Sequence, residues 1–395
     1  VLKDKFKTRR SVGSFNTEEG LPLAILGDWK ENELKLISQY GPAGMKVRKI
    51  FLWLNIVVSG FLKFIFIPKL RYPEILILEY GADRPGDIEK LIKIARPKIG
   101  VITAVGEIPV HVEYYSGPEE VAKEKLKLAS ALPANGLAVL NHDDWTVFAM
   151  KDLSLAEVKT FGFDVHASVM ASDMRYYFEE DGGAKAGISF KLNHEGRSVP
   201  FRLANALGKQ QIYVVLAATA VGLHFKMNLV EISQALEALE FPKQRMNLVK
   251  GIRDSWIIDD TYNASPLSTQ AALETLYEFG NRVINQKGIG RKVAVLGDMR
   301  ELGVFTEKAH RLVGNLAGER AEFIFTVGPA AKFIADSAYN QMPKENIMSF
   351  DSSDKAGEYL RNFVREGDIV LVKGSRAMKM EKVVEAVSQG ASIFS

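Results

Sequence analysis

Acidic and basic side chains follow several apolar segments of the chain, at positions where a strand would end. Glu79 comes directly after the apolar run 74–78, and His111 lies in the loop after the run 99–105. The carboxyl ends of parallel strands form the ligand-binding edge of an open α/β sheet. A carboxylate there suits Mg²⁺, which prefers oxygen ligands and is usually shared with nucleotide phosphates. From position alone, each residue is either part of such a site or an ordinary exposed side chain.

Lys125 lies on the apolar face of a predicted helix over residues 119–132. Val121, Ala129 and Leu132 share that face with it at helical spacing. An ammonium group is costly to bury unless it is paired or chemically altered. Two interpretations are open. Either the side chain extends along the surface to water, or its amine carries CO₂ as a carbamate and becomes an additional carboxylate for a metal.

Three polar clusters follow apolar runs in the second half of the chain. Residues 259–266 (DDTYNASP) form a strand-to-helix turn that could hold a ribose or a metal-bound phosphate, or simply cap the helix. Residues 296–303 (LGDMRELG) and 372–376 (VKGSR) occupy similar positions. The last cluster places two cations and a hydroxyl where a carboxylate or phosphate could bind. Each cluster is also compatible with ordinary turn chemistry.

The first part of the chain has the pattern of an α/β domain. Its continuous apolar runs predict strands that are buried on both faces, as in a parallel sheet. The strands are predicted at residues 74–78, 99–105 and 137–140, and the helices at residues 87–95 and 118–131. Alternating runs over residues 161–202, with turns at 182–183 and 193–196, predict an antiparallel patch. Residues 203–239 have a helical pattern.

A second α/β unit is predicted from about residue 285. Its strands are predicted at residues 292–296, 323–327 and 369–372, and its helices at residues 307–318 and 354–364. The Gly-, Asn- and Lys-rich segment 280–290 is predicted to be a linker, which gives domains 1–280 and 281–395. The predicted fold class is α/β, with a mostly parallel sheet and an antiparallel patch in the first domain and a Rossmann-like second domain.

The composition restricts the classes of function. The 395 residues are 47% hydrophobic and 25% charged, as in an ordinary globular enzyme. Lys and Arg (51) nearly balance Asp and Glu (48), so we expect no nucleic-acid partner. The absence of cysteine excludes disulfides and thiolate chemistry and favours a reducing cytoplasm. The first residue is Val1 rather than Met and no apolar signal segment follows it, so we expect the chain to begin inside a longer protein.

Residues 51–67 (FLWLNIVVSGFLKFIFI) are strongly apolar and have basic residues on both sides. A membrane-spanning helix needs about 20 apolar residues, so this segment is slightly short. Three interpretations are open: an insertion over about residues 45–70 that is buried or acts as a lid, a helix on the surface of a membrane or partner, and a spanning helix.

Seven segments, taken in order, resemble the Mur ligase family over about residues 11–384. They are residues 79–88 (EYGADRPGDI), 101–111 (VITAVGEIPVH), 119–133 (EEVAKEKLKLASALP), 138–144 (AVLNHDD), 257–273 (IIDDTYNASPLSTQAAL), 294–303 (AVLGDMRELG) and 370–384 (VLVKGSRAMKMEKVV). The resemblance is strongest to the MurF branch. It implies a cytoplasmic, monomeric enzyme that uses ATP and Mg²⁺ to join D-alanyl-D-alanine to UDP-N-acetylmuramoyl-tripeptide through an acyl phosphate.

The resemblance also implies roles for the matching positions. Glu79 and His111 correspond to the family's Mg²⁺ ligands, and Lys125 corresponds to its carbamylated lysine, so these three are implied to act in catalysis. The nucleotide is implied to contact Asp260, Asn263, Arg245 and Gln211. The peptide substrates are implied to contact Asp298, Lys373, Ser375, Arg376, Asn16 and Thr17. The chain departs from the family pattern at several positions: Gln211 and Val214 replace asparagines that typically contact the adenine, and Ser14, Thr17 and Ala104 also stand where the family usually has asparagine.

The family's phosphate-binding loop is not found in this sequence. No G-x-x-x-x-G-K-[ST] motif occurs, and residues 41–46 (GPAGMK) have the wrong spacing. Residues 10–22 resemble a family segment that follows the loop by one helix. We therefore expect the loop and a UDP-sugar-binding domain to precede Val1, and the 395-residue chain alone to be inactive. A non-catalytic binding protein with this fold, and a sibling ligase of the folate or cyanophycin type, are the alternatives.

Overall fold

The computed structural model describes residues 1–11, 15–27, 29, 43–66, 72–109, 111–179, 185–237 and 239–389. Within these ranges the side chains of residues 43–49, 52 and 63–66 are not described. The predicted turn at 182–183 and residues 67–70 of the apolar segment lie outside the described residues. The chain forms two compact units, one of Val1–Gly100, Lys123–Ala138 and Asp152–Glu157, and one of Val101–Ala122, Val139–Lys151 and Val158–Ser395.

Helices and strands alternate along most of the chain, which confirms the α/β class. The helices are α1 (Gly20–Leu26), α2 (Ala43–Phe66), α3 (Asp87–Ile94), α4 (Pro118–Ser130), α5 (Trp145–Phe148), α6 (Lys209–His224), α7 (Leu229–Glu237), α8 (Pro266–Lys287), α9 (Thr306–Arg320), α10 (Lys332–Ala338), α11 (Ser353–Phe363) and α12 (Glu381–Val387). The strands are β1 (Thr8–Arg10), β2 (Ile75–Ile77), β3 (Ile99–Ile102), β4 (Leu137–Asn141), β5 (Glu157–Gly162), β6 (Val169–Glu179), β7 (Lys185–His194), β8 (Arg197–Ala204), β9 (Asn247–Lys250), β10 (Trp256–Asp260), β11 (Lys292–Gly297), β12 (Phe323–Val327), β13 (Ile347–Phe350) and β14 (Ile369–Lys373).

Strand β2 differs from its prediction as a strand buried on both faces. Among the described residues it pairs only with β1, in parallel, and Ile77 is 50% exposed. One neighbour covers one edge of the strand and leaves the apolar side chains partly in contact with water. The prediction was therefore wrong for β2, although it is confirmed for β4, in which every residue is buried.

A second sheet contains the strands predicted at residues 99–105 and 137–140 together with the predicted antiparallel patch. Its strand order is β3-β4-β5-β6-β7-β8, in which β5 and β6 are parallel, and β6, β7 and β8 are antiparallel. Glu195 and Gly196 both have positive φ in the predicted turn between β7 and β8, as a tight hairpin requires. Strand β8 continues to Ala204, so the helical pattern expected from residue 203 begins only at Lys209.

The third sheet is the Rossmann-like one, with the strand order β13-β12-β11-β14-β10-β9. All of its neighbouring strands are parallel except β9, which is antiparallel to β10. The predicted linker at 280–290 is wrong, because α8 continues to Lys287 and ends in a left-handed Gly288. Gly280, the first residue of the predicted linker, is buried inside this helix, and a Cβ there would lie 2.8 Å from Cγ of Lys292.

His310 is a fully buried residue of α9 that holds the loop after β11. Its Nδ1 lies 2.7 Å from the carbonyl oxygen of Thr306, and its Nε2 accepts a hydrogen bond of 2.9 Å from the backbone N–H of Met299. This arrangement requires the neutral imidazole with its proton on Nδ1. Burial lowers the pKa of His310. The hydrogen bond to Thr306 and the nearby Asp298 raise it, but by less.

We expect stability to fall as the pH drops below about 6.5, where an unfolded histidine becomes protonated. The unfolded chain then binds a proton that folded His310 does not, which costs up to about 1.4 kcal/mol per pH unit until the folded-state pKa is reached. We expect the free energy of unfolding of His310→Gln to fall less steeply with decreasing pH than that of wild type. His166→Gln, a change at an exposed histidine, serves as the control. Equal slopes for wild type and His310→Gln would contradict the assignment.

Candidate active site

The candidate site is built around a buried ion pair at the carboxyl ends of two central strands. Strands β10 and β14 are parallel neighbours, and their register places Asp260 opposite Lys373. The Nζ atom of Lys373 lies 2.5 Å from Oδ2 of Asp260 and donates a second hydrogen bond of 2.9 Å to the carbonyl oxygen of Asn263. Both charged residues are buried. The pair therefore fixes the turn that contains Asn263 to the end of β14.

Two arginines lie against the ring of Tyr262, which follows Asp260 by two residues. The guanidinium carbon of Arg245 is 4.0 Å from the ring centroid and that of Arg376 is 5.6 Å from it. Arg376 also donates a hydrogen bond of 3.0 Å to Oε1 of Gln244. Both arginines are exposed. Two oriented guanidinium groups on one aromatic ring can bind a phosphate or a carboxylate.

The loop that supplies Arg245 is held in an unusual backbone conformation. Gln244 and Met246 both have positive φ, which is uncommon for residues other than glycine and frequent at functional sites. The side chain of Gln211 donates a hydrogen bond of 3.1 Å to the carbonyl oxygen of Arg245, and Tyr262 N–H donates to the carbonyl oxygen of Gln244. Gln211, which was predicted to contact the nucleotide, is buried and positions this loop.

Asp298 and Ser375 connect the ends of β11 and β14. The Asp298 carboxylate is buried and accepts a hydrogen bond of 2.7 Å from Ala331 N–H. Ser375 N–H donates to the carbonyl oxygen of Asp298, and Arg300 N–H donates to the Ser375 hydroxyl at 2.8 Å. These two side chains therefore position the loops beside Arg376, and direct contact with substrate stays a prediction for both.

Asp259, the neighbour of Asp260, is a buried carboxyl that faces Thr261. Its Oδ1 accepts hydrogen bonds from the Thr261 hydroxyl at 2.7 Å and from the Thr261 N–H at 3.2 Å. Burial raises the pKa of Asp259, and the two hydrogen bonds partly oppose this shift. The adjacent acids thus have different tasks, because Asp260 pairs with a lysine while Asp259 shapes the turn.

Glu79 is exposed at the end of β2, where Asn16 reaches its carboxylate. Asn16 Nδ2 donates a hydrogen bond of 3.2 Å to Oε1 of Glu79, and Gly81 N–H donates to the carbonyl oxygen of Asn16. The Thr17 hydroxyl accepts from Gly20 N–H at the start of α1. The described contacts of Asn16 and Thr17 therefore position Glu79 and begin a helix, and their contact with substrate stays a prediction.

Lys125 is half-buried on α4, on the face predicted for it. Val121, Ala129 and Leu132 on that face are each 1% exposed, which confirms the orientation of the helix. The fully buried charge on α4 is instead Glu124, which accepts hydrogen bonds from the N–H groups of Gly86 and Ile88 at the start of α3. No feature of the sequence singles out Glu124 among the charged residues of this helix.

Replacing Glu124 by alanine is expected to lower the free energy of unfolding by about 1–3 kcal/mol, since two N–H groups at a helix start lose their acceptor. Glu124→Gln keeps one acceptor oxygen and should have an intermediate effect. Urea denaturation measures both. Glu119→Ala removes an exposed carboxylate from the same helix and is the matched control. Equal midpoints for Glu124→Ala and Glu119→Ala would rule out the capping role.

His111 contacts the carboxylate of Glu301, a contact that the sequence did not indicate. Its Nδ1 lies 2.5 Å from Oε2 of Glu301, and both residues have positive φ. Glu113 N–H approaches the carbonyl oxygen of Glu301, and glycine is required at 303 because a Cβ there would lie 2.9 Å from Cβ of Glu113. The Glu301 carboxylate orients the imidazole of His111, as carboxylates commonly do for metal-binding histidines.

The described acids and histidines were compared with the grouping that a metal ion needs. Across the described ranges, no three His, Asp or Glu side chains are grouped to hold a metal ion. Mg²⁺ commonly binds through one or two carboxylates together with substrate phosphates rather than in an all-protein cage. The donor chemistry of Glu79 fits that mode, and Lys125 would supply a carboxylate only as a carbamate.

Two protein-family models match consecutive parts of the chain. The model described as "Mur ligase middle domain" matches residues 62–222, and "Mur ligase, glutamate ligase domain" matches residues 244–376, which includes Arg245, Asp260, Lys373 and Arg376. The chain belongs to the Mur ligase family.

Curated relatives and solved structures place this Mur ligase in the MurF branch. The UDP-N-acetylmuramoyl-tripeptide--D-alanyl-D-alanine ligase of Bacillus subtilis is 28% identical over 98% of this chain and 71% of the relative, and that of Mycobacterium leprae is 31% identical over 81% and 65%. The crystal structure of the MurF ligase from Thermotoga maritima in complex with ADP has a TM-score of 0.72 at 26% identity, covering 98% of this chain and 74% of that one. This Mur ligase thus spans 65–71% of the length of the two curated relatives.

Proposed function

We propose that the protein containing this chain is an ATP-dependent amide-bond ligase that joins D-alanyl-D-alanine to UDP-N-acetylmuramoyl-tripeptide in peptidoglycan synthesis. The observation that carries the proposal is the pair of arginines on the ring of Tyr262, two residues after Asp260, whose carboxylate pairs with Lys373. A positively charged surface at the carboxyl ends of parallel strands is where an α/β ligase binds anionic substrates. The Bacillus subtilis relative named for this reaction aligns over 98% of the chain, which includes that region.

The reaction has two steps, each of which moves negative charge. The tripeptide carboxylate oxygen attacks the γ-phosphorus of ATP, forming an O–P bond and releasing ADP. The dipeptide amine then attacks the acyl carbon, the C–N bond forms, the C–O bond to phosphate breaks, and one proton leaves the nitrogen. Arg245 and Arg376 would neutralise charge at the phosphoryl group or a substrate carboxylate. The proposed role of Lys373 is to hold the Asn263 turn in place while it stays paired with Asp260.

The proposal includes Mg²⁺, a cytoplasmic location and a monomeric state. Glu79, His111 and carbamylated Lys125 would hold the ion, and bound Mg²⁺ would supply positive charge beside the ATP phosphates.

We also propose a domain limit near residue 244 rather than 280, because β9 and β10 belong to the Rossmann-like sheet. A helix long and apolar enough to cross a membrane is not found among the described residues.

Phosphate release by the complete gene product, supplied with ATP and UDP-N-acetylmuramoyl-tripeptide, tests the function. We expect release to require D-alanyl-D-alanine and to be absent with D-alanine or L-glutamate. Release that depends on glutamate instead would identify a sibling ligase. No release with any acceptor, in a preparation that still binds the UDP-linked substrate, would favour the non-catalytic alternative.

A further inference from the structure

Helix α2 carries a wide apolar surface that the fold leaves uncovered. Ile56 is 1% exposed and packs with Leu23 of α1, and Gly60 lies against Leu26. Eight other large apolar side chains in the part of the helix whose side chains are described are exposed, and they are Ile50, Phe51, Trp53, Leu54, Val57, Val58, Phe61 and Leu62. At 100° per residue these positions cover about half of the helix circumference. The interpretation of this segment as a buried insertion is therefore wrong for the described side chains.

The sequence around α2 is strongly basic. Residues 34–73 contain seven Lys or Arg residues and no Asp or Glu, whereas the rest of the chain has 44 basic and 48 acidic residues. The positive charge of the whole chain is thus concentrated in the segment that carries the exposed apolar surface. An exposed apolar surface of this size marks an interaction site.

We propose that α2 docks on the surface of an anionic lipid bilayer, lying in the membrane plane with its exposed apolar half in the headgroup–acyl boundary. Basic residues around an apolar helix face complement anionic lipid headgroups. A second copy of the same chain would bring the two basic segments together, so its docking is opposed by charge repulsion. The side of the helix that contains Ile56 and Gly60 stays packed on α1, and this contact anchors the helix to the protein.

Vesicle flotation of the complete gene product tests the proposal. We expect binding to vesicles of phosphatidylcholine and phosphatidylglycerol, weak binding to phosphatidylcholine alone, and release at high salt. The fluorescence of Trp53, which is on the exposed half, should shift to the blue on anionic vesicles, and Trp53→Phe should remove that shift. Phe61→Glu should reduce the partition coefficient at least about tenfold, since it places a charge in the apolar surface.

Val304→Glu makes the same kind of change at a 93% exposed residue outside α2 and should bind like wild type. Unchanged flotation of Phe61→Glu would overturn the proposal, and so would equal binding to neutral and anionic vesicles. Two further outcomes would do the same: a dimer without lipid that Phe61→Glu dissociates, and resistance of the bound protein to alkaline carbonate extraction, which indicates a spanning helix. Ligase activity without vesicles should be unaffected in Phe61→Glu, so this result is separate from the test of the proposed function.

Discussion

Replacing Lys373 by alanine is expected to lower the free energy of unfolding by about 3–5 kcal/mol. The change leaves the Asp260 carboxylate buried without its partner and removes the donor to the Asn263 carbonyl. An uncompensated buried charge is far more costly than the loss of an exposed ion pair. Urea denaturation of the purified protein measures the effect as a shift in the midpoint.

Two comparisons distinguish the stability lost with this buried ion pair from the stability lost on removing any lysine. Lys382→Ala breaks an exposed pair with Asp354 and should cost less than about 1 kcal/mol. The double variant Asp260→Asn/Lys373→Met removes both charges and should recover part of the stability lost in Lys373→Ala. A double variant that is less stable than Lys373→Ala would contradict the role of the uncompensated carboxylate.

Arg376→Ala is expected to lower kcat/KM of the complete gene product by about 10²–10³-fold, with little change in thermal stability. The guanidinium group is exposed, so its loss removes positive charge from the site without opening a cavity. Arg376→Lys keeps the charge but loses the planar contact with Tyr262, and should give an intermediate rate. Phosphate release at varied D-alanyl-D-alanine concentrations measures kcat and KM separately.

Arg311→Ala is the matched control for this prediction. Arg311 forms an exposed ion pair with Glu307 on α9, so the same charge is removed away from the site. Its kcat/KM should equal that of wild type. If Arg376→Ala also equals wild type, the proposed binding of an anion between Arg245 and Arg376 is wrong.

The apolar periodicity of the sequence predicted the strands that are buried and the helices that cover them. β4, β11, β12 and β14 were predicted within about one residue of their bounds, because continuous apolar runs of this length are typical of parallel strands. The linker prediction failed at α8. Glycine, asparagine and lysine inside a helix have the composition of a loop, and the close packing of Gly280 against Lys292 is not visible in the sequence.

The sequence predicted which charged residues belong to the candidate site, but it did not predict which of them contact each other. Parallel pairing of β10 with β14 brings Asp260 to Lys373, and strand order cannot be read from the apolar runs themselves. The contacts of Gln244 and Glu301 depend on positive φ values that the sequence does not indicate, since neither residue is a glycine. Sequence reasoning therefore found the charged residues and missed the side chains that orient them.

The position of β14 has a consequence for how the protein is made. β14 is the last of the described strands along the chain, yet it lies between β11 and β10, which are both synthesised earlier. During synthesis on a ribosome, the edges of β10 and β11 that face β14 stay unpaired until residues 369–373 leave the exit tunnel. Until then Asp260 also lacks its partner Lys373. Closure of this sheet then depends on contacts between distant parts of the chain, which form slowly and leave strand edges open to aggregation. We expect the nascent protein to be most dependent on chaperones in the interval just before its synthesis reaches β14.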